Sequence, residues 1–184
     1  MNIPLPEPQY IISLDEILWG GTLVAITMAI HGFGMLAVLR ANLAVKNWIG
    51  KKTTIAANLF PVILASWMIM LVHLIEVGVW AGFFLWQGAF ANRSLAYYFS
   101  LNEYTTVGSN FNLPLHWRLL EGMIATAGLL TFAWSTGILI TLAQEFQDQR
   151  IQLFKQRHEQ NDKQKQVRNF PCIKARAPVE IRHR

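Results

Sequence analysis

The sequence predicts an all-α membrane protein with three transmembrane helices and a short re-entrant helix between the second and third of them. Hydrophobic residues make up 53% of the 184 residues, and the mean hydropathy is +0.28. Three apolar runs are each long enough for the ~20 residues that one crossing requires. Basic residues are concentrated in alternate connections between these runs, which is typical of a polytopic membrane protein.

The first transmembrane helix is predicted over residues 17–40, after an outside N-terminal segment of residues 1–16. Asp15 and Glu16 lie at the positive end of the helix dipole, and Arg40 lies at the negative end. No lysine or arginine precedes Arg40. The chain therefore lacks the basic region of a secretory signal peptide, and we expect the first apolar run to be retained.

The second transmembrane helix is predicted over residues 55–85, in an apolar run whose only charge is Glu76. The run continues to Phe90, so its outer end must tilt, bend or leave the bilayer. Pro61 fits a first helical turn, where its missing N–H is not needed. An aromatic belt at the outer interface is predicted from Trp80, Trp86, Trp117, Tyr97 and Tyr98.

The third transmembrane helix is predicted over residues 117–144, and a basic cytoplasmic tail over residues 145–184. Arg118 and Glu121 are spaced for a salt bridge at the outer end of this helix. We expect the helix to extend to about Lys165 and the polar remainder to be disordered.

The distribution of basic residues predicts the topology. Ten lysines and arginines follow the last apolar run, from Arg150 to Arg184, and four stand between the first two runs. By the positive-inside rule these regions are cytoplasmic, and the N-terminus lies outside the cell (inner) membrane. The tail could also bind anionic lipid headgroups. We read the net charge of +5 as a topology signal, and no nucleic-acid partner is predicted.

Several function classes are excluded by composition. The single cysteine, Cys172, allows neither an internal disulfide nor a multi-cysteine metal site. No span carries the series of arginines that a voltage sensor needs. No residue pattern indicates covalent catalysis, so we predict neither an enzyme nor a bound cofactor.

The connection over residues 91–116 combines a short apolar helix with a polar return. Arg93 to Tyr104 predict the helix, with Asn92 or Ser94 as its cap. Irregular backbone at membrane depth is tolerated only where protein buries it or where it lines a wet cavity. The polar stretch "YTTVGSNFNLP" that follows therefore predicts a pore or a binding site.

Two stretches of this region resemble a known family. "AYYFSLNEYTTVG" and the following "WRLLEGMIATAGLL" resemble the pore helix, filter and inner helix of potassium-channel-like proteins. "LVHLIEVGVWAGFF" and "GLLTFAWSTGIL" are similar to stretches of small bacterial ion-channel proteins. Because one filter loop cannot enclose an ion path, the resemblance implies a homotetramer around a shared axis.

The resemblance also implies which residues would contact ions. Backbone carbonyls of Thr106, Val107 and Gly108 would bind K⁺ or Na⁺, with the Thr106 hydroxyl at the base. The predicted filter as a whole consists of Thr105, Thr106, Val107, Gly108, Ser109 and Asn110. Potassium-selective members continue with an aromatic residue, glycine and usually aspartate, whereas Ser109, Asn110 and Phe111 stand here. We therefore expect a wider, less selective outer filter.

Four further residues are assigned supporting roles. Asn110 is expected to adopt a left-handed backbone that keeps the second filter turn. Asn102 and Glu103, directly before the filter, are expected to support it from behind by hydrogen bonds. Gly128 on the third span is a candidate gating hinge by the resemblance, and equally a close-packing residue.

Three ionisable side chains are predicted inside the membrane. His73 and Glu76 are three residues apart and share one helix face, and His31 lies midway along the first span. Intramembrane ionisable groups are functional hypotheses by default. The alternatives are a hydrogen-bonded pair between helices, a proton or pH sensor, a metal site, or haem ligation by the two histidines.

The resemblance implies a pore-forming subunit of a tetrameric cation channel that passes potassium, and sodium as well, down their gradients. One alternative is a haem-binding or pH-sensing membrane protein that uses His31, His73 and Glu76. Another is a non-conducting, pore-like subunit that acts by assembly.

Overall fold

A computed structural model describes residues 10–49 and 55–169, and in these ranges the chain is helical without strands. The helices are α1 (Leu14–Ile49), α2 (Ile55–Trp86), α3 (Arg93–Tyr104) and α4 (Leu119–Asn169), with a 3₁₀ turn at Leu115–Trp117. Helices α1, α2 and α4 are long and apolar enough to cross a membrane. The prediction of an all-α chain with three such helices is confirmed.

Helix α1 begins three residues earlier than predicted because Ser13 and Glu16 cap it. The Ser13 hydroxyl accepts the amide of Glu16 at 3.2 Å, and the Glu16 carboxylate accepts the amide of Ser13 at 3.1 Å. This reciprocal pair satisfies two amides at the start of the helix. Glu16 is fully buried and also accepts the amide of Leu119 at 3.2 Å. One carboxylate therefore joins the starts of α1 and α4.

Helix α2 begins before Pro61 rather than at it. Pro61 is inside the helix, and the expectation that it occupies the first turn is wrong. Its carbonyl accepts a hydrogen bond from Nδ2 of Asn42 on α1 at 3.3 Å. Asn42 is buried, so this bond is one of the polar contacts between α1 and α2.

The largest apolar cluster surrounds α3 and contains residues of all four helices. We call it the Trp80 cluster; its buried members are Leu23, Val77, Trp80, Phe83, Phe84, Phe99, Tyr104, Leu113, Trp117, Leu120, Ile124 and Ala127. The ring of Phe99 packs 5.5 Å from that of Phe84 and 5.0 Å from that of Phe90. A second cluster, of Met35, Val38, Ala65, Ile69 and Leu142, holds the opposite part of α1, α2 and α4.

The predicted aromatic belt is only partly correct. Trp80 is fully buried and donates its indole N–H to the Thr27 hydroxyl at 3.0 Å. Trp117 is also buried, whereas Trp86 and Tyr98 are exposed. Trp80 and Trp117 therefore stabilise the core, and only the exposed aromatics fit an interfacial role.

The chain divides into two compact units, Met1–Ala143 and Gln144–Arg184, and helix α4 contributes residues to both. The helix ends at Asn169, four residues beyond the predicted Lys165. In the second unit the guanidinium of Arg150 lies 5.8 Å from the centre of the Phe146 ring. The stretch 170–184, for which disorder is predicted, and residues 1–9 of the N-terminal segment lie outside the described residues.

Candidate functional site

Six polar side chains meet inside the first unit, and we call them the polar cluster. All are buried, with at most 8% of their surface exposed. Its members come from each of the four helices and are His31, His73, Glu76, Tyr104, Thr131 and Ser135. Polar groups at this depth are stable only when they bond to one another.

The carboxylate of Glu76 is the centre of the polar cluster. Its Oε1 lies 2.9 Å from Nδ1 of His31, and its Oε2 lies 3.5 Å from Nδ1 of His73. Oε2 also accepts a short hydrogen bond from the hydroxyl of Tyr104. The predicted grouping of His31, His73 and Glu76 is thus present, and one carboxylate joins α1, α2 and α3.

Ser135 lies on the other side of both imidazole rings. Its hydroxyl donates to the carbonyl of Thr131 at 2.7 Å, and its Oγ lies 3.0 Å from Nε2 of His73 and 3.3 Å from Nε2 of His31. One hydroxyl group therefore joins both imidazole rings to the backbone of α4.

Tyr104, the last residue of α3, fixes the end of that helix between α2 and α4. Its hydroxyl lies 2.5 Å from Oγ1 of Thr131 and 2.9 Å from Nδ1 of His73. Its carbonyl packs directly on Gly128, where an added Cβ would overlap the carbonyl oxygen. The close-packing role considered for Gly128 is therefore confirmed, and its role as a gating hinge stays a prediction.

The filter loop, residues 105–110, starts where Tyr104 is fixed. Thr106 and Gly108 have left-handed backbones, with φ of +60° and +76°, and the amides of Val107 and Gly108 both donate to the carbonyl of Asn102. Thr106 is the only non-glycine described residue with positive φ. The left-handed backbone expected at Asn110 is therefore wrong: the additional turn comes earlier, directly after the helix cap at Thr105.

The carbonyls of Thr106, Val107 and Gly108 are the second feature of this loop. Within ranges 10–49 and 55–169, no hydrogen bond reaches any of these three oxygens. The Val107 side chain is 76% exposed. The loop thus presents main-chain oxygens together with an exposed apolar side chain.

Glu103 contacts the filter loop through its side chain, and Asn102 contacts it through its backbone. Oε1 of Glu103 accepts the amide of Ser109 at 2.9 Å, and burial raises the pKa of this carboxyl group. Asn102 acts through its backbone carbonyl, while its side-chain Nδ2 is buried without a partner among the described residues. A side chain and a main-chain oxygen of α3 therefore hold the filter loop.

Glu121 supports the return of the chain to α4. Its Oε1 accepts the amide of Leu113 at 2.7 Å. The part of the chain that the structure describes contains no ion pair between Glu121 and Arg118, although their spacing predicts one. The carboxylate instead binds the backbone at the end of the connecting loop.

Sequence reasoning missed Tyr104, Thr131 and Ser135 as members of the polar cluster. A signal for two of them exists, because Thr131 and Ser135 are four residues apart and share one face of an uncharged span. Tyr104 carries no comparable signal, since a tyrosine at the end of a short helix is common. Only its contacts across three helices identify it.

The geometry of the two histidines bears on the haem alternative. Their ring centres are 5.3 Å apart, and both Nε2 atoms are directed to Ser135. Bis-histidine haem ligation needs a nitrogen from each side of a flat macrocycle. The rings leave no room for that macrocycle between them.

The ligand atoms of His31, His73 and Glu76 all lie within 4.8 Å of one another, an arrangement that could hold a metal ion.

The chain was compared with protein-family models, with curated proteins and with solved structures, and none of the three comparisons gives a match.

Proposed function

We propose that this chain is the pore-forming subunit of a homotetrameric cation channel that passes potassium and sodium passively across the cell membrane. In this proposal α3 is a re-entrant pore helix and residues 105–110 are the filter. The N-terminus faces outside, and the basic tail is cytoplasmic. Neither enzymatic chemistry nor a bound cofactor is part of this function.

The position of Tyr104 is the observation that carries the proposal. Its hydroxyl contacts Glu76, ten residues before the end of α2, and Thr131, twelve residues after the start of α4. At 1.5 Å per residue these contacts lie about 15 Å and 18 Å from the helix ends. Half of the ~30 Å hydrocarbon core is about 15 Å. These distances support a position of the end of α3 near mid-depth in a membrane whose core begins at these two helix ends.

The chemistry at that depth favours a cation. The C-terminus of a helix carries a partial negative charge, and the end of α3 leads directly into the carbonyls of Thr106, Val107 and Gly108. These oxygens accept no hydrogen bond from the described residues, and unsatisfied carbonyls are costly in a bilayer. A ring of such oxygens from several chains can replace the water shell of an ion. The exposed Val107 side chain supports contact with neighbouring copies.

Ion flux through reconstituted liposomes tests the proposal. Gly108 has φ of +76° and nothing within 4 Å of an added Cβ, so Gly108→Ala costs about 1–2 kcal/mol of backbone strain at this site. Gly88, at the turn after α2, has φ of +69° and equally open surroundings. Gly88→Ala is therefore a control with the same strain outside the filter loop.

We expect wild type and Gly88→Ala to pass K⁺ and Na⁺, and Gly108→Ala to lose most of the flux or to change the ratio of the two ions. Equal flux and equal ion ratio in Gly108→Ala and wild type would contradict the filter assignment. A wild-type tetramer without flux would favour the non-conducting assembly. A monomer in mild detergent and in lipid would contradict both.

A further inference from the structure

We propose that His31, His73 and Glu76 bind a divalent transition-metal ion of the zinc class, with Ser135 orienting both imidazole rings. This site is separate from the filter loop and does not depend on the proposed channel function. Three features support this site: two ring nitrogens close to one carboxylate, a donor set that transition metals prefer, and the outer contact of both rings with Ser135.

The Nδ1 atoms of both histidines face oxygen atoms inside the polar cluster. Nδ1 of His31 lies 2.9 Å from Oε1 of Glu76, and Nδ1 of His73 lies 2.9 Å from the Tyr104 hydroxyl oxygen and 3.5 Å from Oε2 of Glu76. Two ring nitrogens thus converge on one buried carboxylate.

A metal ion fits this donor set. Two imidazole nitrogens and a carboxylate oxygen are the ligand set of many zinc sites and of other first-row transition metals, whereas Mg²⁺ and Ca²⁺ prefer oxygen ligands alone. Zinc ligands at ~2.1 Å in a tetrahedron are about 3.4 Å apart. The two Nδ1–carboxylate contacts measure 2.9 Å and 3.5 Å, and all the ligand atoms lie within 4.8 Å of one another. The side chains must therefore close by at most about 1.4 Å around a bound ion.

Tyr104 borders this donor set. Its hydroxyl oxygen lies 2.9 Å from Nδ1 of His73 and donates a short hydrogen bond to Oε2 of Glu76. The Glu76 carboxylate offsets one of the two positive charges of a bound ion.

Ser135 and a neighbouring cavity complete the site. Metal-bound histidines donate their second ring N–H to an outer group that fixes the ring, and Oγ of Ser135 lies 3.0 Å and 3.3 Å from the two Nε2 atoms, where it can accept from both rings. A cavity of about 360 Å³ is lined by His73, Tyr104 and Ser135 together with residues of α2, α3 and α4. The cavity reaches the edge of His73.

Metal content of the full-length protein, purified in detergent, tests the proposal. The protein is stripped with a chelator, dialysed against Zn²⁺ or Co²⁺, and analysed by mass spectrometry for metal per chain and by visible absorption for tetrahedral Co²⁺. Variants are His31→Gln, His73→Gln and Ser135→Ala. His116→Gln, at an exposed histidine in the 3₁₀ turn, is the matched control.

We expect one metal ion per chain in wild type and in His116→Gln. Affinity should fall at least 100-fold in His31→Gln and His73→Gln, and 10–100-fold in Ser135→Ala with the Co²⁺ spectrum preserved, which is typical of an outer-shell change. Wild type that binds no Zn²⁺ or Co²⁺, or cluster variants that bind as tightly as His116→Gln, would overturn the proposal. If a variant does not fold, the wild-type stoichiometry and spectrum decide alone.

Discussion

A methyl group added at Gly128 tests how closely the end of α3 rests on the middle of α4. In Gly128→Ala the new Cβ would overlap the carbonyl oxygen of Tyr104 and would lie 2.9 Å from its carbonyl carbon. Both are backbone atoms, so rotation of a side chain cannot relieve the overlap. Either α4 moves away from α3, or the end of α3 shifts and takes the filter loop with it.

The expected cost follows from three terms. Overpacking of this kind costs about 1–3 kcal/mol. A shift that lengthens the 2.5 Å contact between Tyr104 and Thr131 removes a buried hydrogen bond, which costs about 0.5–1.5 kcal/mol. Alanine regains about 0.8–1 kcal/mol of helix propensity relative to glycine. Gly128→Ala should therefore lower the free energy of unfolding by about 0.5–3.7 kcal/mol.

Gly122 and Gly137 are matched controls, because both lie on α4 and have nothing within 4 Å of an added Cβ. Their alanine variants should be neutral or more stable by up to about 1 kcal/mol. Unfolding in detergent micelles measures the free energies, and liposome flux measures the effect on the filter. A Gly128→Ala protein as stable as Gly137→Ala would refute the close contact between Tyr104 and α4.

Two further predictions concern the α1 contacts and the filter support. Gly34→Ala should destabilise the protein by about 1–3 kcal/mol, since its Cβ would lie 2.6 Å and 2.7 Å from both methyl groups of Val72, a side chain with one preferred rotamer in a helix. Gly20→Ala should cost less, because its Cβ meets the flexible end of Met123; unfolding measurements compare the two. Glu103→Ala should reduce flux, whereas Glu103→Gln, which keeps an acceptor for the loop amide, should retain most of it. Burial raises the pKa of Glu103, so its carboxylate becomes protonated at a higher pH than that of an exposed glutamate. Acidification should therefore weaken its hydrogen bond to the loop amide and lower flux in wild type but not in Glu103→Gln.

Contrary outcomes are specific for each of these predictions. Equal losses of stability in the Gly34 and Gly20 variants would mean that side-chain flexibility does not decide the cost. Equal flux in Glu103→Ala and Glu103→Gln would mean that the hydrogen bond to Ser109 does not hold the loop. A pH response that persists in Glu103→Gln would assign it to another group.

The elements that were predictable from sequence depend on local signals. Helix α3 has the predicted bounds, Arg93–Tyr104, and Asn92 caps it by accepting the amide of Ser94 at 2.8 Å. A cap residue and an apolar run are neighbours in sequence, so a single chain segment specifies them. The three long helices were predictable for the same reason. The early start of α1 at Ser13 follows a local signal too, an S-x-x-E capping box, which sequence reasoning overlooked.

The contents of the polar cluster were only half predictable. Charged or ionisable residues in apolar runs are conspicuous, so His31, His73 and Glu76 were found. Hydroxyl groups are common in spans, and nothing local distinguishes Thr131 from Thr126, which bonds to its own helix through the carbonyl of Gly122. Which hydroxyl meets a histidine depends on helix rotation and crossing, which are properties of the packed chain.

The backbone of the filter loop was mispredicted because two local preferences compete there. Asparagine tolerates a left-handed backbone better than threonine, which favoured Asn110 over Thr106. In the structure the amide of Thr106 bonds to the carbonyl of Glu103, and the amides of Val107 and Gly108 bond to that of Asn102. These bonds close the end of α3 and need positive φ directly after the cap. Satisfying amides at the helix end outweighs the strain at one threonine, of order 1–3 kcal/mol.

The polar cluster also explains why α3 ends at one depth and not another. Apolar packing has little direction, and the Trp80 cluster alone would allow α3 to slide along α2 by a helical turn, about 5.4 Å. The Tyr104 hydroxyl can meet Glu76 and Thr131 together at a single position. A slide would remove the Tyr104 donor from Oε2 of the buried carboxylate, which costs more than the apolar contacts would regain. Hydrogen bonds at Tyr104 therefore set the level of the filter loop, and a ligand that rearranges Glu76 and the histidines would act on the first carbonyls of that loop through this one residue.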